Sequence, residues 1–424
     1  MFYSFYNYTK LFCWISLFFV NFKIYGRCNL DILQILLRNI QKTSSLGTKC
    51  IQKITPYLKM TNCDEKIINI LNSTYENNEY HNDEFTMKTF YNDFNIKLSE
   101  KYEIIEKISS GSIGQVYKIK GIKDNKFYAM KVVHPFIKRQ IGFIKKIINL
   151  FDLNRYTFFE LDIFIKNYEK ETNFIHEAYN MKNFYKFYKN NEKIIIPKLY
   201  DFSENIIIME YIEGVNIESL SDYDKGKYTT FGILFCNNNK AILNFNHGDM
   251  HYGNFKKYKE NSIIIYDFGF CYDVEDVNIV DALENCWHSL LNHKEAKESF
   301  NTSMKYIIKY HGVDGDMDRY DDLITEIFLS PKVRELDILF KKIYIFFKKI
   351  NVRIKMEFLN LMLIYIHTAK YDECEMHDLL AFCENYNIFN EYVDLIKTNI
   401  HYRGTNLKKY TDNVNIMDDL KKLI

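Results

Sequence analysis

Proline is nearly absent from this chain of 424 residues, which holds four, while Asn, Ile, Lys, Tyr and Phe abound. A bias of that kind follows from an AT-rich coding sequence, so composition says less than usual about structure and motifs must carry the reading. Net charge is also lacking: 56 Lys and Arg nearly cancel 55 Asp and Glu, leaving a formal +1. Without a basic excess there is no electrostatic footprint for wrapping DNA or RNA, and no nucleic-acid partner is expected. The nine cysteines contain no Cys-x-x-Cys pair and no zinc spacing, so they read as unpaired thiols in a reducing compartment. Cys374 and His377 lie close together, but two ligands without a second pair read as an exposed helix turn. No repeat period is visible, and no run of 18 uninterrupted apolar residues occurs in the helical tail. Disorder is excluded by the 47% hydrophobic and 17% aromatic content, which supplies enough apolar surface to offset ordering entropy. The length predicts two or three units.

The apolar stretch Leu11 to Phe22, bounded by Lys10 and Lys23, is short for a membrane span. A targeting or membrane-anchor role for residues 1–27 and a docked helix both stay open. Residues 28–99 read as a helical extension that becomes, from Asp64 to Glu100, an Asn-rich linker with a helical turn or two. Short β-branched runs at Glu103–Ile108, Gln115–Ile119 and Phe127–Val133 predict an antiparallel three-stranded meander. Helical spacing follows at Ile137, Ile141, Ile144 and Ile148, and again at Phe174, Ala178, Met181 and Tyr185. Lys193–Ile196 and Ile206–Glu210 read as buried strands, making five before residue 215. Beyond Ser219 helices dominate, interrupted by one Ile-rich strand at Ser262–Tyr266.

Small residues fill the turn Ser110-Gly111-Ser112-Ile113-Gly114, between the first two predicted strands. They let backbone N–H groups approach phosphate oxygens, although a Ser/Gly hairpin is by itself ordinary. Lys131 stands mid-strand one strand later, where a bare ammonium is costly to bury and wants anions. In the kinase arrangement those anions are nucleotide phosphates and a helix carboxylate, here Glu177. The sharpest signal is Asn246-His-Gly-Asp-Met-His-Tyr-Gly-Asn254, followed by Asp267-Phe-Gly269 at the end of a strand. Asp249 and Asn254 stand five positions apart, as where a catalytic Asp handles the acceptor proton and an Asn binds magnesium. Asp267 supplies a second oxygen ligand for a hard cation at the phosphates. Loop, Lys, Glu, Asp/Asn and Asp in that order predict an ATP and Mg²⁺ site. The acidic run His311–Asp322 resembles a calcium loop, but counted from Asp314 it has Arg319 at position six and Thr325 at position twelve, so it reads as a solvated turn.

These residues resemble the UbiB and ADCK atypical kinases. The likeness covers about residues 100 to 275 through Ser112-Ile-Gly-Gln-Val-Tyr117, Met130-Lys-Val-Val-His-Pro135, Glu177-Ala-Tyr-Asn180, Met209-Glu-Tyr-Ile-Glu-Gly214 and the His247 to Asn254 loop. It implies an α+β, two-lobed protein-kinase-like fold with a helical N-terminal extension. The small lobe would occupy 100–214 and the helical large lobe 215–424. It also implies magnesium-nucleotide binding, with Glu210 and Ile212 among the nucleotide contacts, and an activity nearer an ATPase than a protein kinase. The resemblance further implies support of quinone or lipid metabolism at membranes, with a membrane lipid or isoprenoid quinone precursor as partner and an intracellular, mitochondrial or otherwise membrane-associated location.

Three departures stand out. The family's Lys-x-Gly-Gln is essentially missing, its nearest match being Gln52-Lys53-Ile54-Thr55; its Glu-x-Asp reads Glu171-Thr172-Asn173; and Gly111 stands where the family usually has alanine. These letters therefore do not carry the family's regulation by the extension over to this chain. Two rival functions stay open: a small-molecule phosphotransferase of the choline and aminoglycoside kinase type, and a pseudokinase scaffold.

Overall fold

The computed structural model describes residues 2–25, 28–59, 63–72, 81–291, 296–370, 388 and 390. Six helices come first: α1 (Phe2–Tyr25), α2 (Leu30–Thr43), α3 (Ser45–Lys59), α4 (Glu65–Asn72), α5 (Asp83–Phe94) and α6 (Leu98–Lys101). The side chain of Asn29 caps α2 by accepting from the N–H groups of Asp31 and Ile32 at 3.1 Å. Asn82 caps α5 the same way, accepting from Phe85 N–H at 3.0 Å. The Asn-rich stretch from Asp64 to Glu100 is thus more helical than its polarity predicts. Asn72 ends α4 and Asn82 and Asn95 cap the two ends of α5, while Thr86, Phe90 and Leu98 are buried.

Next come β1 (Tyr102–Ser110), β2 (Gly114–Gly121) and β3 (Phe127–Val133), paired antiparallel as the meander pattern predicts. They lead into α7 (Ile137–Leu150), α8 (Leu161–Glu171) and α9 (Phe174–Tyr188), the first and last of which fall on the predicted periodic segments. Then follow β4 (Ile194–Ile195), β5 (Leu199–Phe202), β6 (Ile206–Glu210), β7 (Val215–Asn216) and α10 (Asp222–Asn238). The order continues through β8 (Phe245–His247), β9 (Phe255–Lys257), β10 (Ile263–Ile265) and β11 (Cys271–Asp273). It ends in α11 (Asn278–Leu291), α12 (Ala296–Tyr310), α13 (Asp321–Phe328), α14 (Leu336–Lys349) and α15 (Met356–Lys370). Strand β5 escaped prediction because Tyr200 and Asp201 break the branched run. Strands β7, β8, β9 and β11, of two or three residues each, are too short for alternation to reveal.

Two compact units result. The first holds Met1–Thr157, Leu161–Phe174 and Asp201–Met209; the second holds Phe158–Glu160, Ile175–Tyr200 and the chain from Glu210. A five-stranded sheet in the order β1-β2-β3-β6-β5 forms the centre of the first. In the second, helices surround a sheet of order β4-β10-β9-β7 and a β11-β8 pair. The fold is α+β and kinase-like, with a helical extension ahead of the first sheet. Within the first unit α1 is a docked helix: Leu11 and Ile15 are buried with Leu36 and Ile147, and Phe19 stacks on Phe151 at 4.6 Å. In the second unit the acidic turn after α12 is held by Lys305, whose ammonium lies 2.5 Å from Asp318 and 2.8 Å from Asp321. Cys374, His377 and Cys383 lie outside the described residues.

Candidate functional site

In the first unit, Ser110 ends β1 and Gly114 opens β2, so Ser110, Gly111, Ser112, Ile113 and Gly114 form a tight link closed by a Gly111 N–H to Gly114 carbonyl bond of 2.9 Å. A side chain at Gly114 would put its Cβ 2.7 Å from the Val132 carbonyl oxygen and 3.0 Å from the Phe174 ring. Glycine is therefore required there by close approach of backbone. Lys131 lies mid-β3 opposite Val116, is 9% exposed, and holds its ammonium 5.2 Å from the centre of the Phe174 ring. Every residue of β3 after Phe127 is buried, Lys131 among them.

The second unit gathers the other charged candidates. His247, at the end of β8 and 2% exposed, donates from Nε2 to the Asp267 carbonyl at 2.8 Å. Its Nδ1 accepts from the Asp249 N–H at 3.3 Å. One buried ring thus ties the loop that carries Asp249 to the strand end that carries Asp267. Burial holds the His247 imidazole below its ordinary pKa, against the opposing pull of Asp249 and Asp267. That favours the neutral, one-donor one-acceptor ring these two bonds need. Asn254 donates its amide to the Asp249 carbonyl at 2.7 Å, which turns its amide oxygen to the remaining side. The loop is closed further by Asn254 N–H to His251 carbonyl, 2.8 Å, and Tyr266 N–H to Asn254 carbonyl, 2.7 Å.

Asp267 adopts φ 55°, a left-handed conformation that Asp tolerates better than most residues. Its Oδ1 accepts from Gly269 N–H at 3.2 Å. The Glu177 carboxylate in the first turn of α9 is 3% exposed and comes within 3.6 Å of where a Gly269 side chain would begin. Asn180, one helical turn on, donates to the Phe268 carbonyl at 2.9 Å. Helix α9 therefore borders the Asp267-Phe-Gly269 turn and bonds it through Asn180. Glu210 ends β6; its N–H donates to the Lys198 carbonyl at 2.8 Å, and its side chain accepts from Lys198 N–H at 3.2 Å. The Ile212 carbonyl accepts from Tyr266 hydroxyl at 2.9 Å. So Glu177, Asp249, Asn254 and Asp267 come together in the second unit, with Glu210 and Ile212 in that unit too. Lys131 and the Ser110–Gly114 loop belong to the first.

An oxygen pair from Asn254 and Asp267 suits a hard divalent cation that keeps waters and phosphates as its other ligands. Among the described residues no cluster of three or more His, Cys, Asp or Glu could hold a metal by itself.

The ABC1 atypical kinase-like domain matches residues 77–300. The chain belongs to that family. Among curated relatives, it is 27% identical over 198 residues to an uncharacterised chloroplastic aarF domain-containing protein kinase of Arabidopsis thaliana, covering 43% of this chain and 28% of the relative. It is 28% identical over 182 residues to the chloroplastic Protein ACTIVITY OF BC1 COMPLEX KINASE 3 of the same plant, covering 39% and 25%. Against AarF domain-containing kinase 1 of Drosophila melanogaster it is 27% identical over 204 residues, covering 44% and 39%. The matched region spans between about a quarter and two-fifths of the length of these curated relatives. Among solved structures, a Mycobacterium tuberculosis protein in complex with erythromycin aligns over 76% of this chain and 84% of that one, at 16% identity and a TM-score of 0.48.

Two positioning groups were not assigned roles from sequence. His247 was legible only as part of its motif; its place two residues before Asp249 was the signal. The other is Lys53, in the near-match to the absent Lys-x-Gly-Gln. Helix α3 carries Lys53 to Glu171, Nζ to Oε1 2.6 Å, in a pair whose side chains are 11% and 6% exposed. The Tyr168 ring lies 5.7 Å from the same ammonium, and the Tyr168 hydroxyl donates to the Leu46 carbonyl at 2.8 Å. Although the extension lacks the family letters, it is fastened to the retained Glu171.

Proposed function

We propose that this protein is an ATP-binding, magnesium-dependent atypical kinase or ATPase. The observation that carries the reading is the single hydrogen-bonded unit made by Asp249, Asn254 and Asp267 through His247 and the Asn254 amide. Those are the groups phosphoryl transfer requires: a carboxylate for the acceptor proton, and two oxygen donors for the cation that spreads over the phosphates. Magnesium held by Asn254 and Asp267 would neutralise charge on the transferring phosphoryl group. Asp249 orients the attacking hydroxyl or water and takes up its proton. In this reading Lys131 serves the α/β-phosphates, the Ser110–Gly114 backbone N–H groups serve phosphate oxygens, Glu177 is the helix carboxylate, and Glu210 and Ile212 offer backbone groups to the base. The acceptor is water or a lipid such as an isoprenoid quinone precursor.

The surface of α1 favours attachment to a lipid surface. Cys13, Leu17, Val20 and Ile24 are exposed at spacings of four, three and four, and so share one face of the helix. Lys10 precedes the stripe, Lys23 stands beside its last residue, and α1 contains no acidic residue. Among the described residues no helix is long and apolar enough to cross a membrane. The stripe therefore suits a helix lying in an anionic headgroup layer.

The test separates two carboxylates with different jobs. Asp267→Asn should lose the magnesium-dependent part of nucleotide affinity, whereas Asp249→Asn should keep affinity and lose turnover by about 10² to 10⁴. Equal affinity loss in both, or full turnover in Asp249→Asn, overturns these roles. Turnover confined to one small alcohol acceptor would favour the choline-kinase-like rival, and nucleotide binding without turnover the scaffold.

A further inference from the structure

Behind the Ser110–Gly114 loop lies a chain of hydrogen bonds that neither the kinase template nor the resemblance uses. His134, which follows β3 and is 8% exposed, bonds the loop twice. Its backbone N–H donates to the Ile113 carbonyl at 2.8 Å, and its Nε2 lies 2.8 Å from the Gly111 carbonyl and 3.3 Å from the Ser110 hydroxyl. Its Nδ1 faces Nδ1 of His81 at 2.8 Å, and Nε2 of His81 reaches the Thr86 hydroxyl at 2.8 Å. Thr86 meets the Tyr117 hydroxyl at 2.6 Å. Gln115, fully buried in the Ser-Ile-Gly-Gln segment, holds the His81 backbone by accepting its N–H at 2.9 Å and donating to its carbonyl at 3.4 Å.

Proton counting orders the two rings, with the Tyr117 hydroxyl, which also lies 3.2 Å from Asp83 Oδ1, donating to Thr86 at 2.6 Å. A carbonyl can only accept, so Nε2 of His134 carries a proton; in a neutral ring its Nδ1 is then bare. His81 must donate from Nδ1, and its bare Nε2 accepts from Thr86. One proton fits between the two Nδ1 atoms and two do not. A second charge would drive the rings apart, so the pair never holds both imidazolium forms while the contact lasts. Around His81 stand Asp83 and Lys107, themselves paired at 3.0 Å, together with Tyr117; around His134 stand Ser110 and the Gly111 carbonyl. Burial lowers both imidazoles, His81 to about 4, where His134 and Lys107 lower it further and Asp83 opposes. Both rings are therefore neutral near pH 7.

We infer that His134, set in its Nε2–H tautomer by His81, is a positioning residue for the nucleotide loop: by pinning the carbonyls of Gly111 and Ile113 it fixes the peptide planes that carry the Ser112 and Gly114 N–H groups. A peptide is planar, so a carbonyl held from one side aims the following N–H to the other. Glycine at 111 frees that peptide from the restraint a Cβ would supply, and the imidazole supplies it instead. Gln115 links the device to the loop's own motif, holding His81 in reach of His134.

This inference rests on the nucleotide-site reading, and the experiment separates the two. Affinity for the magnesium complex of a non-hydrolysable ATP analogue is measured for the parent and for His134→Ala, His134→Asn and His134→Gln. Glutamine places an amide donor near the Nε2 position; alanine and asparagine do not. Loss of about tenfold in affinity for Ala and Asn, with Gln near the parent, supports the positioning role. If the parent binds no analogue, the nucleotide-site reading fails and takes this role with it. If the parent binds and His134→Ala binds equally, the nucleotide site stands and the positioning role is overturned. Long-range ¹⁵N NMR of the parent supplies a readout that does not depend on variants folding. His81 should show the Nδ1–H tautomer, the minor one for free histidine, and His134 the Nε2–H tautomer, unchanged from pH 8 to 6. Two Nε2–H rings, or independent titration near 6.5, would overturn the relay.

Discussion

Replacing His247 tests whether the second unit's charged groups work as one assembly. The ring is 2% exposed and packs among Phe184, Phe235 and Phe268, with centroids 6.3, 6.2 and 5.6 Å away. It makes two bonds to backbone, one to the Asp267 carbonyl and one from the Asp249 N–H. His247→Ala removes the ring and leaves both groups without that partner, each worth about 1 to 3 kcal/mol when water cannot reach it, beside a cavity. The expected cost is about 3 to 5 kcal/mol by denaturant unfolding. His247→Gln keeps a donor for the Asp267 carbonyl but no acceptor at the Nδ1 position, and should cost about 1 to 2 kcal/mol. Turnover should fall further than stability explains, because a shift of about 1 Å in a positioned group costs about 10²-fold. Measured on folded protein, affinity should fall in His247→Ala through Asp267, and turnover in both variants through Asp249. A His247→Ala protein that folds, binds and turns over like the parent would show that Asp249 and Asp267 are positioned without the ring.

Three further outcomes are expected. Lys53→Ala takes the ion-pair partner from the buried Glu171 carboxylate, and should lower stability by about 3 kcal/mol; restoration by the charge-preserving Lys53→Arg would assign the loss to the ion pair, and an unchanged urea midpoint in Lys53→Ala would show that this ion pair does not fasten α3. Leu17→Glu with Val20→Glu, at positions 45% and 52% exposed, should leave the melting temperature unchanged yet abolish co-sedimentation with anionic vesicles; retained binding would move the lipid contact elsewhere. His311 packs against the rings of Phe347 and Phe358, donates from Nδ1 to the Ile307 carbonyl at 2.7 Å, and is lowered to about 4 by burial, the bond to Ile307 opposing and Lys355 adding. Its unfolded form binds protons first, so this contribution is full above about pH 6.5 and is lost as pH falls toward 4. Comparing pH 7 with pH 5, the parent should lose about 2 kcal/mol more stability than His311→Phe; equal losses would refute the assignment.

The sequence was most readable where one residue type alone can do the work. Gly114 has no room for a side chain beside Val132 and Phe174, Lys131 stands out as a cation in a buried strand, and the proposed roles of Asp249 with a proton and of Asn254 and Asp267 with a cation each call for a carboxylate or an amide. Those positions were legible as letters, and so were β1, β2 and β3, whose β-branched runs fall within strands of seven to nine residues. Strands of two or three residues leave no period to detect, and β5 hid behind Tyr200 and Asp201. The Asn-rich segment before β1 misled because asparagine marks helix caps as well as linkers; only the burial of Phe90 and Leu98, a tertiary fact, distinguishes them. The partnership of His81 with His134 joins residues 53 positions apart, and no local pattern can announce it.

The extension shows how a missing motif and a missing interaction differ. Lys-x-Gly-Gln is absent as letters, yet Lys53 delivers an ammonium to Glu171, and Ser44 and the Leu46 N–H both donate to Gln140 of α7, at 2.7 and 3.3 Å. A buried ammonium and carboxylate each carry a large desolvation penalty, so neither is tolerated there without the other or a substitute. An ion pair constrains charge and reach, not the neighbouring letters. Loss of the glycine and glutamine removes backbone freedom and an amide, but the anchoring charge survives. Anchoring and whatever chemistry the full motif supports are therefore separable, and in this chain the anchor is present without the rest.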